Sequence, residues 1–182
     1  MAVWLITSTQ FMTALAGAVA VTAAVVDVKQ RRIPNWLTYS SMIAGIVLQS
    51  VFHGLTGLLS AVEGCLLFGG IFMLFYLVRA MGAGDVKLAA ALGCLVGPSA
   101  SFRVMFATAI AGGALAIMIM VFKGRVIETM RNTLGVAFHH SRHGLQPHPT
   151  VNLQNPKAMR MPYGLAFAAG TLYWSLVPVL WR

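Results

Sequence analysis

Two aspartates are the residues of this chain best suited to chemistry. Asp27 and Asp85 are its only aspartates, and each adjoins a strongly apolar run. Two carboxyl groups at hydrogen-bond distance share one proton, because like charges so close together cannot both ionise. One carboxylate then accepts a proton from water while the other, protonated, donates to the carbonyl oxygen of a peptide. The pair predicts an aspartic protease if the fold brings the two side chains together.

Glycines precede the second aspartate in the stretch MGAGDVKL, at Gly82 and Gly84. Without a Cβ, a glycine can take φ > 0 or let the backbone approach an extended substrate strand. The structural alternative is that this stretch breaks a helix and that Asp85 is the N-cap of the next one. From 18 Gly and 2 Asp in 182 residues, a chance GxGD is expected roughly 0.02 times. The motif favours a functional role without excluding the cap.

The elements that position these residues are predicted to be membrane helices. The chain is 58% hydrophobic and 9% charged, and several apolar runs reach about the 20 residues that an α-helix needs to cross a bilayer. Period-two alternation is absent, which favours helices over a closed barrel. We therefore predict one all-α, polytopic membrane domain over residues 1–182 with about six transmembrane helices. Their predicted ranges are 8–26, 37–53, 55–78, 86–101, 104–122 and 161–181.

We attribute the net charge of +9 to the membrane topology of the chain rather than to nucleic-acid binding. The Lys and Arg residues lie in short connections between apolar runs, not on the polar face of a soluble helix. If the first connection faces the cytoplasm, eleven of them are inside, and only Arg103 and Arg182 are outside. The positive-inside rule then places the N-terminus and the C-terminus outside.

The same topology places both aspartates on one face of the membrane. Asp27 follows the first predicted span and Asp85 follows the third, so two crossings separate them. Their carboxyl groups are therefore expected to meet at the cytoplasmic mouth of the bundle.

One polar insertion, at about 123–160, interrupts the predicted spans. Its first part, KGRVIETMRNTLGVAF, has apolar residues at helical spacing, which predicts a helix lying in the membrane interface. The rest is rich in Pro and reads as a loop. Its histidines (His139, His140, His143 and His148) lack a nearby acid, and we predict no metal site. The two cysteines, Cys65 and Cys94, lie inside apolar runs and are expected to be core residues.

Three stretches resemble the bacterial type IV prepilin peptidases, aspartic proteases of the GxGD class: DVKQRRIPNWLT from Asp27, MGAGDVKL from Met81, which contains the GxGD aspartate Asp85, and MPYGLAFAAG from Met161. The resemblance implies that Asp27 and Asp85 are catalytic, without a cofactor. It also implies a multi-pass protein of the bacterial inner membrane. Its substrates would be prepilins or pseudopilins, whose short basic leader is cut after a glycine on the cytoplasmic side.

One departure from the larger members of that family narrows the expectation. Those members carry paired CxxC motifs in a cytoplasmic segment and also N-methylate the trimmed pilin, whereas this sequence has no CxxC motif. It resembles the short, peptidase-only branch associated with tight-adherence (Flp) pili, and we expect no methyltransferase activity.

Further residues are expected near the site or at the membrane surface. Six are candidates for substrate binding or active-site support: Gly82, Gly84, Pro34, Asn35, Tyr163 and Gly164. For Pro34 and Asn35 the alternative is a helix start, with Asn35 as the cap. For Tyr163 the alternative is an aromatic belt shared with Trp174 and Trp181. Three cations are predicted to anchor the chain to membrane lipids: Arg31, Arg32 and Lys87.

Two other functions remain open from the sequence. Glu63 lies well inside the third predicted span, where we expect it to be protonated or to face the bundle interior. With Asp27 and Asp85 it would suit a small proton-coupled carrier. A non-catalytic scaffold for pilus assembly would keep the same topology but would tolerate substitution of the aspartates.

Overall fold

The computed structural model describes residues 2–124 and 162–180, together with positions 127, 130, 131 and 135. This part of the chain forms four helices: α1 (Ala2–Gln30), α2 (Asn35–Leu77), α3 (Ala83–Phe122) and α4 (Tyr163–Leu180). The described residues include no strand, and the predicted all-α fold is confirmed. Within these described ranges, three stretches are long and apolar enough to cross a membrane, namely Ser8–Gln30, Asn35–Leu77 and Ala83–Phe122.

Each of the two longest helices contains a break at a glycine. Gly54 has φ 62° and ψ −142°, and Gly97 has φ 73° and ψ 175°, a region of backbone conformation open almost only to glycine. The chain folds back at Gly54, because Gly57 packs on the backbone of Gln49, which a continuous helix would hold about 12 Å away. The break coincides with the short connection predicted between the second and third spans, and the count of six crossings stays a prediction.

Close contacts at small residues set how the helices pack. α1 and α4 run antiparallel, since Gly17 lies against Leu172 and Gly164 lies against Ala24 and Asp27. α3 and α4 are also antiparallel, with Gly112 beside Ala166. The start of α1 is therefore at the end of the bundle opposite Asp27.

An aromatic cluster fills the core between α2 and α4. Phe68, Phe72 and Phe167 are buried, and the Phe167 ring lies 5.1 Å from the Phe72 ring and 5.9 Å from the Phe68 ring, centroid to centroid. Each such ring contributes roughly 0.5–1.5 kcal/mol through its aromatic contacts, beyond its buried area. This cluster joins α2 to α4, the helix whose start reaches Asp27.

The cysteines lie in this helical core, as their apolar surroundings predict. Cys94 is buried and Cys65 is partly buried, and both are free thiols. Both lie at the contact between α2 and α3, where Gly93 packs on the backbone of Cys65 and Gly45 on Cys94.

The outer faces of the helices are apolar. Val51, Leu66 and Phe106, for example, are 73%, 69% and 66% exposed, as expected where lipid rather than water surrounds the protein. Glu63 is exposed on the same outer surface. Of the two alternatives for Glu63, an inward-facing side chain is therefore wrong, and a protonated one stays a prediction.

Most of the polar insertion falls outside the described residues. The predicted interfacial helix is described only at Lys123, Gly124 and four isolated positions, among which Ile127 and Met130 are exposed. The four histidines of the loop lie wholly outside the described residues.

Candidate active site

Asp27 lies in the last turn of α1 and is only 8% exposed. Its Oδ2 atom accepts a hydrogen bond from the backbone N–H of Gly164 at 3.0 Å. Gly164 is the second residue of α4, and the first N–H groups of a helix have no partner within it. Asp27 thus supplies an acceptor for the start of a helix that follows it by more than 130 residues.

Asp85 lies in the first turn of α3. The N-cap of α3 is Gly82, with φ −82° and ψ 152°, so the structural alternative, in which Asp85 is itself the N-cap, is wrong by three residues. The N–H of Gly82 donates to Asp85 Oδ2 at 3.1 Å, and the N–H of Asp85 donates to the Gly82 carbonyl oxygen at 3.1 Å. Asp85 therefore stabilises the helix start as the acidic third residue of a capping arrangement.

The two carboxyl groups lie at the same end of the bundle, which we call the aspartate end. Asp85 interacts electrostatically with Asp27 and with the Tyr163 phenol. The site thus combines the end of α1 with the starts of α3 and α4. Helix N-termini carry partial positive charge, which stabilises carboxylates placed there.

Each carboxyl group keeps one oxygen available for chemistry. The backbone donors engage Oδ2 of Asp27 and Oδ2 of Asp85, and within the described ranges no protein group hydrogen-bonds either Oδ1. The half-buried Asp85 and the buried Asp27 are thus two acidic groups that interact electrostatically at one end of the bundle.

Comparison with protein-family models places this geometry in a known context. The model of the type IV leader peptidase family matches residues 14–117, more than half of the chain. The chain belongs to the type IV leader peptidase family. Comparison with curated proteins and with solved structures gives no match. The family confirms the predicted resemblance and supports a peptidase with membrane helices.

The matched part of this leader peptidase includes both aspartates but ends before α4. The Pro-Tyr-Gly start of α4, which the sequence motif had suggested as active-site support, is placed beside the two acids by the structure. Tyr163 interacts with Asp85, and the backbone of Gly164 binds Asp27. In the sequence, Pro162 before an apolar run indicates the start of a helix. Nothing in the sequence shows which acidic side chain accepts a hydrogen bond from the first N–H groups of that helix.

The glycines of the GxGD motif do not use the conformational freedom expected of them. Neither Gly82 nor Gly84 has positive φ, so that part of the expectation is wrong. A Cβ at Gly82 would lie 3.2 Å from Asp85 Oδ2, and one at Gly84 would lie 3.3 Å from the Ile33 Cβ. The absence of side chains lets Asp85 fold back on Gly82 and lets the α1–α2 connection pack at the start of α3. Ile33 has no polar feature that could have identified it from the sequence.

The α1–α2 connection is tied to α3 by a hydrogen bond. Lys87 Nζ donates to Asn35 Oδ1 at 2.9 Å and lies 5.1 Å from the centroid of the Tyr39 ring. Pro34 is the N-cap of α2, with no side-chain cap bond, so the expectation that Asn35 caps this helix is wrong. Lys87 thus has a partner within the protein, and its predicted role as a lipid anchor stays a prediction.

Arg31 and Arg32 lie at the exposed end of α1. Arg31 has φ 52° and its N–H donates to the Asp27 carbonyl oxygen at 2.7 Å, which ends the helix just beyond the catalytic candidate. Their contact with lipid also stays a prediction.

Proposed function

We propose that this leader peptidase is an aspartic endopeptidase in which Asp27 and Asp85 form the catalytic pair. The single observation that carries the proposal is that two carboxyl groups, one from α1 and one from α3, are each oriented by a backbone N–H and lie near enough to interact electrostatically. A structural need alone would not bring a second acid beside the one that caps α3. Burial of like charges is unfavourable unless the pair has a use for it.

The proposed mechanism needs only the two acids and a water molecule. The pair holds one proton: the ionised carboxylate takes a proton from water, and the protonated one donates to the oxygen of the scissile carbonyl. The water oxygen bonds to the carbonyl carbon, giving a tetrahedral intermediate. Its collapse breaks the C–N bond: the leaving amine takes a proton from the acid that received one from water, while a hydroxyl of the intermediate returns a proton to the other carboxylate and becomes the carbonyl oxygen of the new carboxyl group. The pair is then ready for another cycle, without a covalent intermediate.

The proposed substrate is a prepilin or pseudopilin of the Flp type, cut after a glycine at the cytoplasmic face. Support comes from the leader peptidase family and from the resemblance of the three motifs to the short branch. A pilin helix that stays in the membrane would present its first residues near the membrane surface. The proposed inner-membrane topology, with both termini outside, would put the aspartate end where the leader is.

We further propose that the chain trims prepilins without methylating them. Its two cysteines are 29 residues apart and lie as free thiols in the apolar helices α2 and α3, unlike paired CxxC motifs in a polar segment.

The carrier alternative loses support from the position of Glu63. That side chain lies on the lipid-facing surface rather than in the bundle interior with the aspartates. A path joining the three acids through the protein is therefore not favoured, and we do not develop this alternative.

The deciding experiment is co-expression with a tagged Flp-type prepilin. Membranes containing the wild type, Asp27→Asn, Asp85→Asn or Glu63→Gln are compared for leader removal by gel shift and by intact mass. We expect cleavage after glycine by the wild type and by Glu63→Gln, and a loss of at least about 100-fold in rate for each Asn variant. The mass of the trimmed pilin also reports any added methyl group.

The Asn variants are expected to insert and fold, because an amide oxygen can still accept from the Gly164 or Gly82 N–H. Normal cleavage by a stably inserted Asp27→Asn protein would refute the catalytic pair. Cleavage at another residue type would refute the proposed specificity while leaving the peptidase chemistry intact.

A further inference from the structure

Arg103 lies where lipid headgroups are expected at the end of the bundle opposite the aspartates. Residues 104–122 carry no charge, and the next cation is Lys123, 20 residues after Arg103. At 1.5 Å per residue, these two cations are about 30 Å apart along α3, which is the thickness of the hydrocarbon core. Each is thus positioned at a membrane surface.

The Arg103 guanidinium is held in place by an aromatic ring. It lies 4.1 Å from the centroid of the Trp174 ring, and Trp174 is eleven residues beyond Tyr163, about 17 Å along α4 from the aspartate end. Among the described residues, no hydrogen bond or ion pair engages Arg103. Stacking on Trp174 leaves the N–H groups at the edge of the guanidinium able to bind an anion in two-point fashion.

An apolar groove of about 730 Å³ leads away from this cation between α3 and α4. Ala107, Ala111 and Ala169 are among its lining residues, while Phe106 and Tyr173 also line it and are 66% and 64% exposed. From Arg103 to Ala111 the groove runs about 12 Å along α3, toward the bilayer centre. It therefore offers apolar contact to a chain that begins at the Arg103 level.

A second cavity, of about 370 Å³, adjoins the groove and shares Arg103 and Trp174 with it. Its lining includes His53 and the hydroxyl-bearing residues Thr13, Thr56, Ser60 and Ser99, and no acidic residue. The ammonium group of a lipid headgroup would lie beside the cationic Arg103 with no carboxylate in the cavity to neutralise its charge. The hydroxyl groups of a lipid headgroup could instead form hydrogen bonds with these Thr and Ser side chains, which both donate and accept.

We propose that Arg103, the groove and the adjoining cavity together bind one anionic phospholipid with a hydroxyl-bearing headgroup. Arg103 binds the phosphate, the groove takes an acyl chain, and the polar cavity takes the headgroup. Phosphatidylglycerol has this chemistry, whereas phosphatidylethanolamine carries an ammonium group. The site is independent of the aspartates and of the peptidase reaction.

The test is native mass spectrometry of the detergent-purified full chain titrated with each of these two lipids. We expect the wild type to retain one phosphatidylglycerol at least about tenfold more strongly than phosphatidylethanolamine, as one charge-assisted contact allows. Arg103→Gln should lose this preference. Lys123→Gln, which removes the cation at the other end of the same helix, should keep it.

A second pair of variants separates a lipid from a free phosphate. Ala107→Phe fills the groove and should weaken phosphatidylglycerol binding several-fold, whereas Ala109→Phe, on an exposed position outside the groove lining, should not. Inorganic phosphate that displaces the lipid equally well in the wild type and in Ala107→Phe would show a soluble-anion site and overturn the proposal. Equal retention of both lipids, an unchanged preference in Arg103→Gln, or dimers that form through the groove without lipid would also overturn it.

Discussion

At the scale of single residues, the two aspartates act on structure as well as on the proposed chemistry. Asp27 accepts from the start of α4, and Asp85 accepts from the start of its own helix. Each carboxyl group is thereby oriented by a rigid backbone donor rather than by a flexible side chain. Such support holds reactive groups to within the small tolerance that catalysis requires.

Gly164 provides the sharpest test of this orientation. A Cβ there would lie 3.0 Å from the Asp27 Cβ and 3.1 Å from its Oδ2, so Gly164→Ala must displace the carboxyl group. A misplacement near 1 Å can cost about 100-fold in rate, and we expect kcat to fall about 10- to 100-fold with little change in KM. The measurement is initial rates of prepilin cleavage against substrate concentration.

The matched control for this prediction is Gly112→Ala. The added Cβ would meet Ala166 Cβ at an ordinary 3.5 Å, so this variant adds the same methyl group near the start of α4 without a close contact to Asp27. Both variants should accumulate in membranes equally. Equal kcat values for the two variants would argue against Gly164 as a positioning residue.

At the scale of elements, two broken helices shape the bundle. The breaks at Gly54 and Gly97 turn α2 and α3 back on themselves, and Pro98 follows the second break where a new helical turn tolerates proline. The start of α3 packs on the α1–α2 connection through Gly84 and Ile33. The breaks therefore determine which helix starts face one another.

Alanine at the two breaks should destabilise the protein in a defined order. Positive φ with extended ψ costs a residue with a Cβ roughly 1–3 kcal/mol, which applies to Gly54 and to Gly97. At Gly97 the Cβ would also lie 2.5 Å from Ser60 Oγ, while at Gly54 it would meet nothing within 4 Å. We expect Gly97→Ala to lower the unfolding temperature most, Gly54→Ala less, and Gly113→Ala, which has neither strain nor clash, least.

Thermal unfolding of the detergent-solubilised variants, followed by circular dichroism, measures this order. If Gly97→Ala were as stable as Gly113→Ala, the break at Gly97 would not exist in the folded protein.

At the scale of the whole molecule, charge determines which face holds the site. The cations near the aspartate end include Lys29, Arg31 and Arg32, whereas Arg103 lies near the opposite end. The positive-inside rule then predicts that the aspartate end faces the cytoplasm.

Cysteine labelling in intact cells tests this orientation. In a background with Cys65→Ala and Cys94→Ala, a membrane-impermeant thiol reagent should label Arg103→Cys but not Lys29→Cys until the cells are opened. The reverse pattern would contradict the topology and also the proposed cytoplasmic cleavage. Arg182→Cys provides a third position, which the reagent should label in intact cells as it labels Arg103→Cys.

The sequence by itself determined the helical membrane fold, the two aspartates and their shared face, because the length of apolar runs, the placement of cations and the parity of crossings are local or additive properties. Only the tertiary structure decided which groups orient the acids, since the Gly164 N–H meets Asp27 across 137 residues. It also decided that Glu63 faces outward, that Gly82 rather than Asp85 caps α3, and that Arg103 stacks on Trp174 beside a groove.

The physical reason is that lipid is as apolar as the protein core. Membrane helices apolar all round therefore carry no periodic signal for their buried face, and packing of small residues at helix contacts fixes that face instead.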